Sequence, residues 1–179
     1  MRRAFLSVVL LVGAILFVPV SPAAAAPYCG LVWGSLEKSA PGNSGAPVVN
    51  VRTGRHTCYD RLVVDVAGDV AGYTVAYVPQ VVQDGSGIPI PTRGGAALQI
   101  TVNDPAYDAN GSATYSPADP RELRDVTGYR TFRQVVWAGS FEGYTTLGLG
   151  VRARLPFRVF VLDGPGTSSR VVVDVAHRW

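Results

Sequence analysis

The chain has 179 residues, of which 20 are glycine and 13 proline, a density of turn-forming residues that excludes a helical bundle. Hydrophobic side chains make up 47 % and charged ones 16 %, which excludes an intrinsically disordered polymer. The 16 Lys and Arg against 13 Asp and Glu give a net charge of +3, which falls to +1 once Arg2 and Arg3 leave with an export signal; composition therefore offers no basic footprint for nucleic acid and no polybasic membrane tether.

The export signal comes first. Met1-Arg2-Arg3 is a short cationic start, and Ala4 to Val18 is apolar except for Ser7 and Gly13. Pro19, Pro22 and the run Ala23–Ala26 follow, predicting an A-x-A cleavage after Ala25 and a signal peptide over 1–25. The apolar run is about 15 residues, short of the ~20 that span a bilayer. The processed chain is thus expected to be secreted or extracytoplasmic, associated with the cell envelope and without a membrane anchor. A lipid-modified Cys29 is disfavoured because Ala26-Pro27-Tyr28 is not the small, aliphatic approach that such sites use.

Cys29 and Cys58 are the two cysteines, and an even count in an exported chain reads most simply as a disulfide. The rival is a metal site, since His56 lies two residues before Cys58 and Asp60 two after. One His and two Cys at these spacings match no zinc signature, so neither a metal nor another cofactor is expected.

Residues 26–53 are rich in Gly, Ser, Pro and Asn without periodicity, predicting an irregular arm tethered by the disulfide, with the folded domain over 54–179. Arg61–Val66 is β-branched and alternating, with Leu62, Val64 and Val66 on one face. After a turn over Gly68–Gly72, Tyr73–Val78 predicts a second strand with Tyr73, Val75 and Tyr77 on one side. A polar loop over Gln83–Gly95 precedes a third strand, Ala97–Val102, and Asn103–Pro120 reads as loop, with Asn110-Gly111 as a turn. Pro120–Asp125 is expected to form one helical turn. Phe132–Ala138, Tyr144–Arg152, Phe157–Leu162 and Arg170–Ala176 bring the set to about seven or eight short strands. Short strands at regular spacing without long helices predict an all-β, single-domain β-sandwich or barrel, of which we take the sandwich.

Arg61-Leu-Val-Val-Asp-Val-Ala67 nearly repeats as Arg170-Val-Val-Val-Asp-Val-Ala176. Coincidence among valine-rich strands and a duplicated half-domain both account for the echo. Within each copy Arg and Asp stand about 13 Å apart along the strand and cannot pair. If the strands are antiparallel neighbours, Arg61 opposes Asp174 and Arg170 opposes Asp65, giving two cross-strand ion pairs.

Catalytic motifs do not assemble. Gly42-Asn43-Ser44-Gly45 looks like a serine-protease nucleophile segment, but no His or Asp of a preceding barrel stands before it. Ser44 with His177 lacks the strand–turn–helix elbow of an α/β-hydrolase. Asp104, Asp108 and Asn110-Gly111 hint at a calcium loop, yet alignment on Gly111 puts Ala106 and Pro117 where acidic ligands belong. The carboxylates show no spacing suited to glycosidase chemistry. His56 and His177 read equally well as surface or cap residues, and the chain is not expected to be an enzyme.

Over Gly54-Arg55-His56-Thr57-Cys58-Tyr59-Asp60-Arg61-Leu62-Val63-Val64-Asp65 the chain resembles the AMIN-like domain proteins of actinobacteria. The resemblance continues through Gly72–Val78, Asp84-Gly85-Ser86-Gly87, Phe141-Glu142-Gly143, Gly148-Leu149-Gly150, Pro156–Val159 and Ser169–Val175. Trp33-Gly34-Ser35 is similar to an arm that some members carry. The family is named for its likeness to the module that localises cell-wall amidases and pilus secretins through peptidoglycan. The resemblance implies a β-sandwich and an exported, non-catalytic envelope module for peptidoglycan or another cell-wall glycan. The alternative is a structural protein that docks another envelope protein. Tyr73 and Tyr77 are the candidate aromatic face, Glu142 a candidate polar contact, and Arg55 and His56 candidate loop donors.

Overall fold

A computed structural model describes residues 27–179; the expected signal peptide lies outside the described residues. In chain order the strands are β1 (Lys38–Ala40), β2 (Val48–Arg55), β3 (Tyr59–Val66), β4 (Tyr73–Val78), β5 (Val81–Val82), β6 (Pro89–Ile90), β7 (Ala96–Val102), β8 (Phe132–Phe141), β9 (Tyr144–Val151), β10 (Phe157–Asp163) and β11 (Ser169–Ala176). They form a five-stranded sheet in the order β1-β4-β7-β9-β8, a four-stranded sheet in the order β10-β11-β3-β2, and a ribbon β5-β6. Among the described residues every pairing is antiparallel and no barrel closes. No helix of the described residues is long and apolar enough to cross a membrane.

One hydrophobic cluster draws on both large sheets, so they face each other as a sandwich. Alternation sets the inner faces. Leu62, Val64 and Val66 of β3, Val171, Val173 and Val175 of β11, Leu98, Ile100 and Val102 of β7, and Leu147, Leu149 and Val151 of β9 are all fully buried. Each such side chain contributes about 1.5–3 kcal/mol relative to exposure.

The expected irregular arm over 26–53 is corrected by the structure. Lys38–Ala40 pairs with β4, and Val48–Arg55 is a full edge strand whose Val48 and Val51 lie in the core. Its period is hidden because a register shift between Val48 and Asn50 inserts one residue, placing two inward valines three apart instead of two. Pro120–Asp125 is likewise a turn at Pro120-Arg121 followed by irregular, bent chain, not a helical turn. Its backbone is spent elsewhere: Trp137 N donates to Pro120 O at 2.7 Å and Leu123 N to Val135 O at 2.9 Å, so the segment covers the free edge of β8.

On the outer face of the five-stranded sheet, Gly148 and Gly150 alternate with the inward leucines of β9. A Cβ on Gly150 would lie 1.9 Å from Arg93 O, and one on Gly148 would lie 2.6 Å from Val136 Cγ2. The absence of side chains here lets the 81–95 segment, with its ribbon, lie directly on the sheet.

Candidate functional site

The β2–β3 hairpin ends in a short turn in which His56 N donates to Tyr59 O at 2.9 Å. Beside it lies an open cleft of about 500 Å³, walled by Arg55, His56, Thr57 and Arg130, with Asp60 and His177 at its base. The His56 ring stacks on Tyr59 with centroids 4.6 Å apart, and the Arg55 guanidinium sits over Tyr129 at 5.9 Å. Gly128, at φ +76°, turns the opposite wall. Among the described residues neither Arg55 nor Arg130 pairs with a carboxylate.

The base is rigid. Asp60 Oδ2 accepts from Thr131 N at 2.6 Å and Phe132 N at 3.1 Å, and Oδ1 lies 3.1 Å from His177 Nε2. His177 N donates to Cys58 O at 2.9 Å, which ties the end of β11 to the hairpin turn. Cys29 and Cys58 are bonded, with Cα atoms 6.4 Å apart, and pin the arm to the same corner. His177 is buried, and its Nδ1 has no hydrogen-bond partner. Three donors thus satisfy the Asp60 charge, while the exposed rim carries two unpaired guanidinium groups. The arrangement suits an anionic or hydroxyl-rich ligand.

Other sequence candidates stand elsewhere. Tyr73 and Tyr77 do not form an exposed aromatic face: both pack against the core cluster, as the inward parity of Val75 between them requires. Tyr77 Oη donates to Leu155 O at 2.7 Å and accepts from Leu155 N at 2.9 Å, and burial raises its phenol pKa above the usual value. Glu142 is the φ +48° residue of the two-residue Glu142-Gly143 turn joining β8 to β9, remote from the cleft. Ser44 Oγ donates to buried Asp104 Oδ1 at 2.7 Å with no histidine in the pair. Asp108 Oδ1 accepts from Asn110 N and Ser112 N, both at 2.9 Å, and closes its own loop.

The echoed strands β3 and β11 are antiparallel neighbours, with Arg61 opposite Asp174 and Asp65 opposite Arg170. Arg61 holds buried Asp174 in a bidentate pair at 2.6 and 2.9 Å, and Arg158 adds a second guanidinium at 2.7 Å. The hydrogen bond to Asp174 raises the Arg61 pKa further above its usual value. The second expected pair, Arg170 with Asp65, is not made. Arg52 of the edge strand takes both Asp65 oxygens, at 2.7 and 2.6 Å, and Arg170 turns instead to Asp163 O at 3.0 Å.

A second concavity, about 690 Å³, lies between the β5–β6 ribbon and the 120–122 turn and is lined by Ile88, Pro89, Ile90, Pro91 and Trp137. Its polar groups are engaged internally. Gln134 bonds Arg93 N at 2.7 Å and Arg121 O at 2.9 Å, and Arg93 forms a two-point ion pair with Glu122.

Arg130 is a cleft residue that sequence reasoning missed, and Asp60 and His177 were weighed there only for metal binding, a catalytic triad or capping, not as the tie at the base of the cleft. Arg130 lies in an uninformative loop, and the Asp60–His177 contact spans 117 residues.

The molecule is an antiparallel β-sandwich with a cationic, solvent-open cleft at one end, and this is the class its fold and site define. The chain belongs to the AMIN-like domain family, whose model matches residues 46–177. That span begins just before β2 and so includes the strand hidden in the supposed arm. No curated protein and no solved structure matches the chain.

Proposed function

We propose that the protein is an exported, non-catalytic binding module of the cell envelope that holds peptidoglycan or another cell-wall polymer in the end cleft. Membership in a family associated with cell-wall-related binding supports the class of ligand. The observation that carries the choice of site is the pair of unpaired guanidinium groups, Arg55 and Arg130, at the mouth of the cleft over a fully bonded Asp60. Such donors reach sugar hydroxyls and carboxylates alike. Asp60 and His177 act as structural ties, because both carboxylate oxygens already hold donors that link β3, the start of β8 and the chain end.

Co-sedimentation with purified cell walls tests this reading. The processed domain is expected to pellet with the walls at low and moderate salt, and Arg55→Gln with Arg130→Gln to shift it to the supernatant. If the unmodified protein stays wholly in the supernatant, glycan binding fails and docking of an envelope protein takes its place. The apolar concavity beside Ile88 and Trp137 favours that second reading, since Ile88 is 58 % exposed there.

A further inference from the structure

We propose that the outer face of the four-stranded sheet carries a second anion-binding subsite in the depression lined by Arg170 and Gly54, and that the ligand is therefore a polyanion spanning this subsite and the end cleft. The inference rests on the wall-polymer reading and specifies the chemistry of that polymer.

The outward side chains form cross-strand rows. Leu162, Arg170, Asp65 and Asn50 make one, Phe160, Val172, Val63 and Arg52 the next, and Arg158, Asp174, Arg61 and Gly54 the third. Charges on this face are matched unequally. Asp174 is shared by Arg61 and Arg158, and Asp65 is taken at both oxygens by Arg52. The acid that stands opposite Arg170 in the register is therefore already occupied. Arg170 is left with a backbone carbonyl for Nη2, a buried Nε that has no acceptor, and no carboxylate partner among the described residues. The Nε is closed off from solvent, so it is the outer Nη edge of this unpaired guanidinium, lining an open depression, that can receive an oxyanion.

The space to receive one is present. A depression of about 250 Å³ is lined by Arg170, Arg52, Arg61, Gly54, Val172 and His56. Gly54 leaves its floor open: an added Cβ would meet only His56 Nε2, at 3.7 Å. His56 also walls the end cleft, so the two concavities adjoin through one side chain. A polymer with oxyanions along its length can engage Arg170 and the Arg55–Arg130 pair together through charge-assisted hydrogen bonds, which are roughly twice as strong as those a neutral glycan's hydroxyls can accept. The oxyanion can be a phosphodiester of a wall-linked polymer or a carboxylate of peptidoglycan.

Co-sedimentation with intact walls is to be measured for the unmodified domain, Arg170→Gln and Gly54→Leu. Arg170→Gln removes the donor, and Gly54→Leu fills the depression without changing charge. Each is expected to weaken binding about tenfold, the scale of one hydrogen bond to a charged group, and Arg170→Gln to flatten the salt dependence. Thermal unfolding of each variant separates lost binding from lost folding. Both variants binding like the unmodified domain, while Arg55→Gln weakens it, overturns the second subsite and leaves the cleft. Binding to chitin as tight as to walls overturns the polyanion, and no binding to walls overturns the underlying reading as well. Walls stripped of phosphate-linked polymers with hydrofluoric acid locate the charge: lost binding assigns it to phosphate, and retained binding still weakened by both variants assigns it to carboxylate.

Discussion

Tyr77 shows how one hydroxyl can decide what a side chain is for. Its ring packs edge-on to Phe157 with centroids 5.6 Å apart, and its hydroxyl closes both backbone groups of Leu155. Tyr77→Phe keeps the ring and orphans a nearly buried N–H and C=O, so urea denaturation should show a loss of about 1–2 kcal/mol. An unchanged midpoint would contradict the structural role. Asp104 is a second case. Burial raises its carboxyl pKa above the ordinary 3.8, with Ser44 and Ala71 pulling it back. A raised folded value means that the native state binds the proton before the unfolded chain does as the pH falls. Its contribution to stability therefore grows on acidification from neutral through that raised value and is lost as the pH rises through it. The stability of the natural protein minus that of Asp104→Asn should increase between pH 7 and just above 4 in paired urea titrations. A flat or opposite difference would show that Asp104 is not the group responsible.

At the scale of elements, period-2 alternation made β3 and β4 legible in the sequence, and short apolar runs between turn residues did the same for β7, β9 and β11, because each turns at least one row of side chains toward the core. The same alternation placed Arg61 opposite Asp174 once β3 and β11 were taken as antiparallel neighbours. β2 was illegible for the opposite reason: its bulge breaks the period, and glycine and proline surround it. Local sequence also cannot say which of two arginines wins a carboxylate. Arg52 captures Asp65 from the edge strand, an outcome set by a pairing that the sequence reading had not placed. Of the cleft, Arg55 and His56 were legible from the hairpin segment, whereas Arg130 arrives from a distant loop and His177 from the end of β11, 117 residues from its partner Asp60. The arm is held by the disulfide and by aromatic contacts, with Trp33 tilted against Tyr59 at 5.9 Å and Arg158 over Trp33 at 5.6 Å. Cys29→Ser with Cys58→Ser should lower stability by about 3–4 kcal/mol in the chain-entropy model. The check is the urea midpoint, together with intact mass after alkylation without reductant. Two thiols reacting before reduction would contradict the bridge.

For the whole molecule, near-neutral net charge conceals its distribution. Several acids are consumed inside or within bidentate pairs, including Asp60, Asp65, Asp104 and Asp174, while Arg55, Arg130 and the Nε of Arg170 remain without acidic partners among the described residues. Composition alone excluded a basic footprint. The fold restores a local one by burying the opposing charge, and it does so at a corner braced by a disulfide and by the His177 backbone bond to Cys58. The central claim is that this corner binds wall polymer. Amide chemical-shift mapping of the isotope-labelled processed domain against soluble fragments released from cell walls tests it most directly. The largest shifts are expected at Arg55, His56, Thr57, Gly128 and Arg130; shifts confined to Ile88, Ile90, Thr92 and Trp137, or none at all, would contradict wall-polymer binding at this corner.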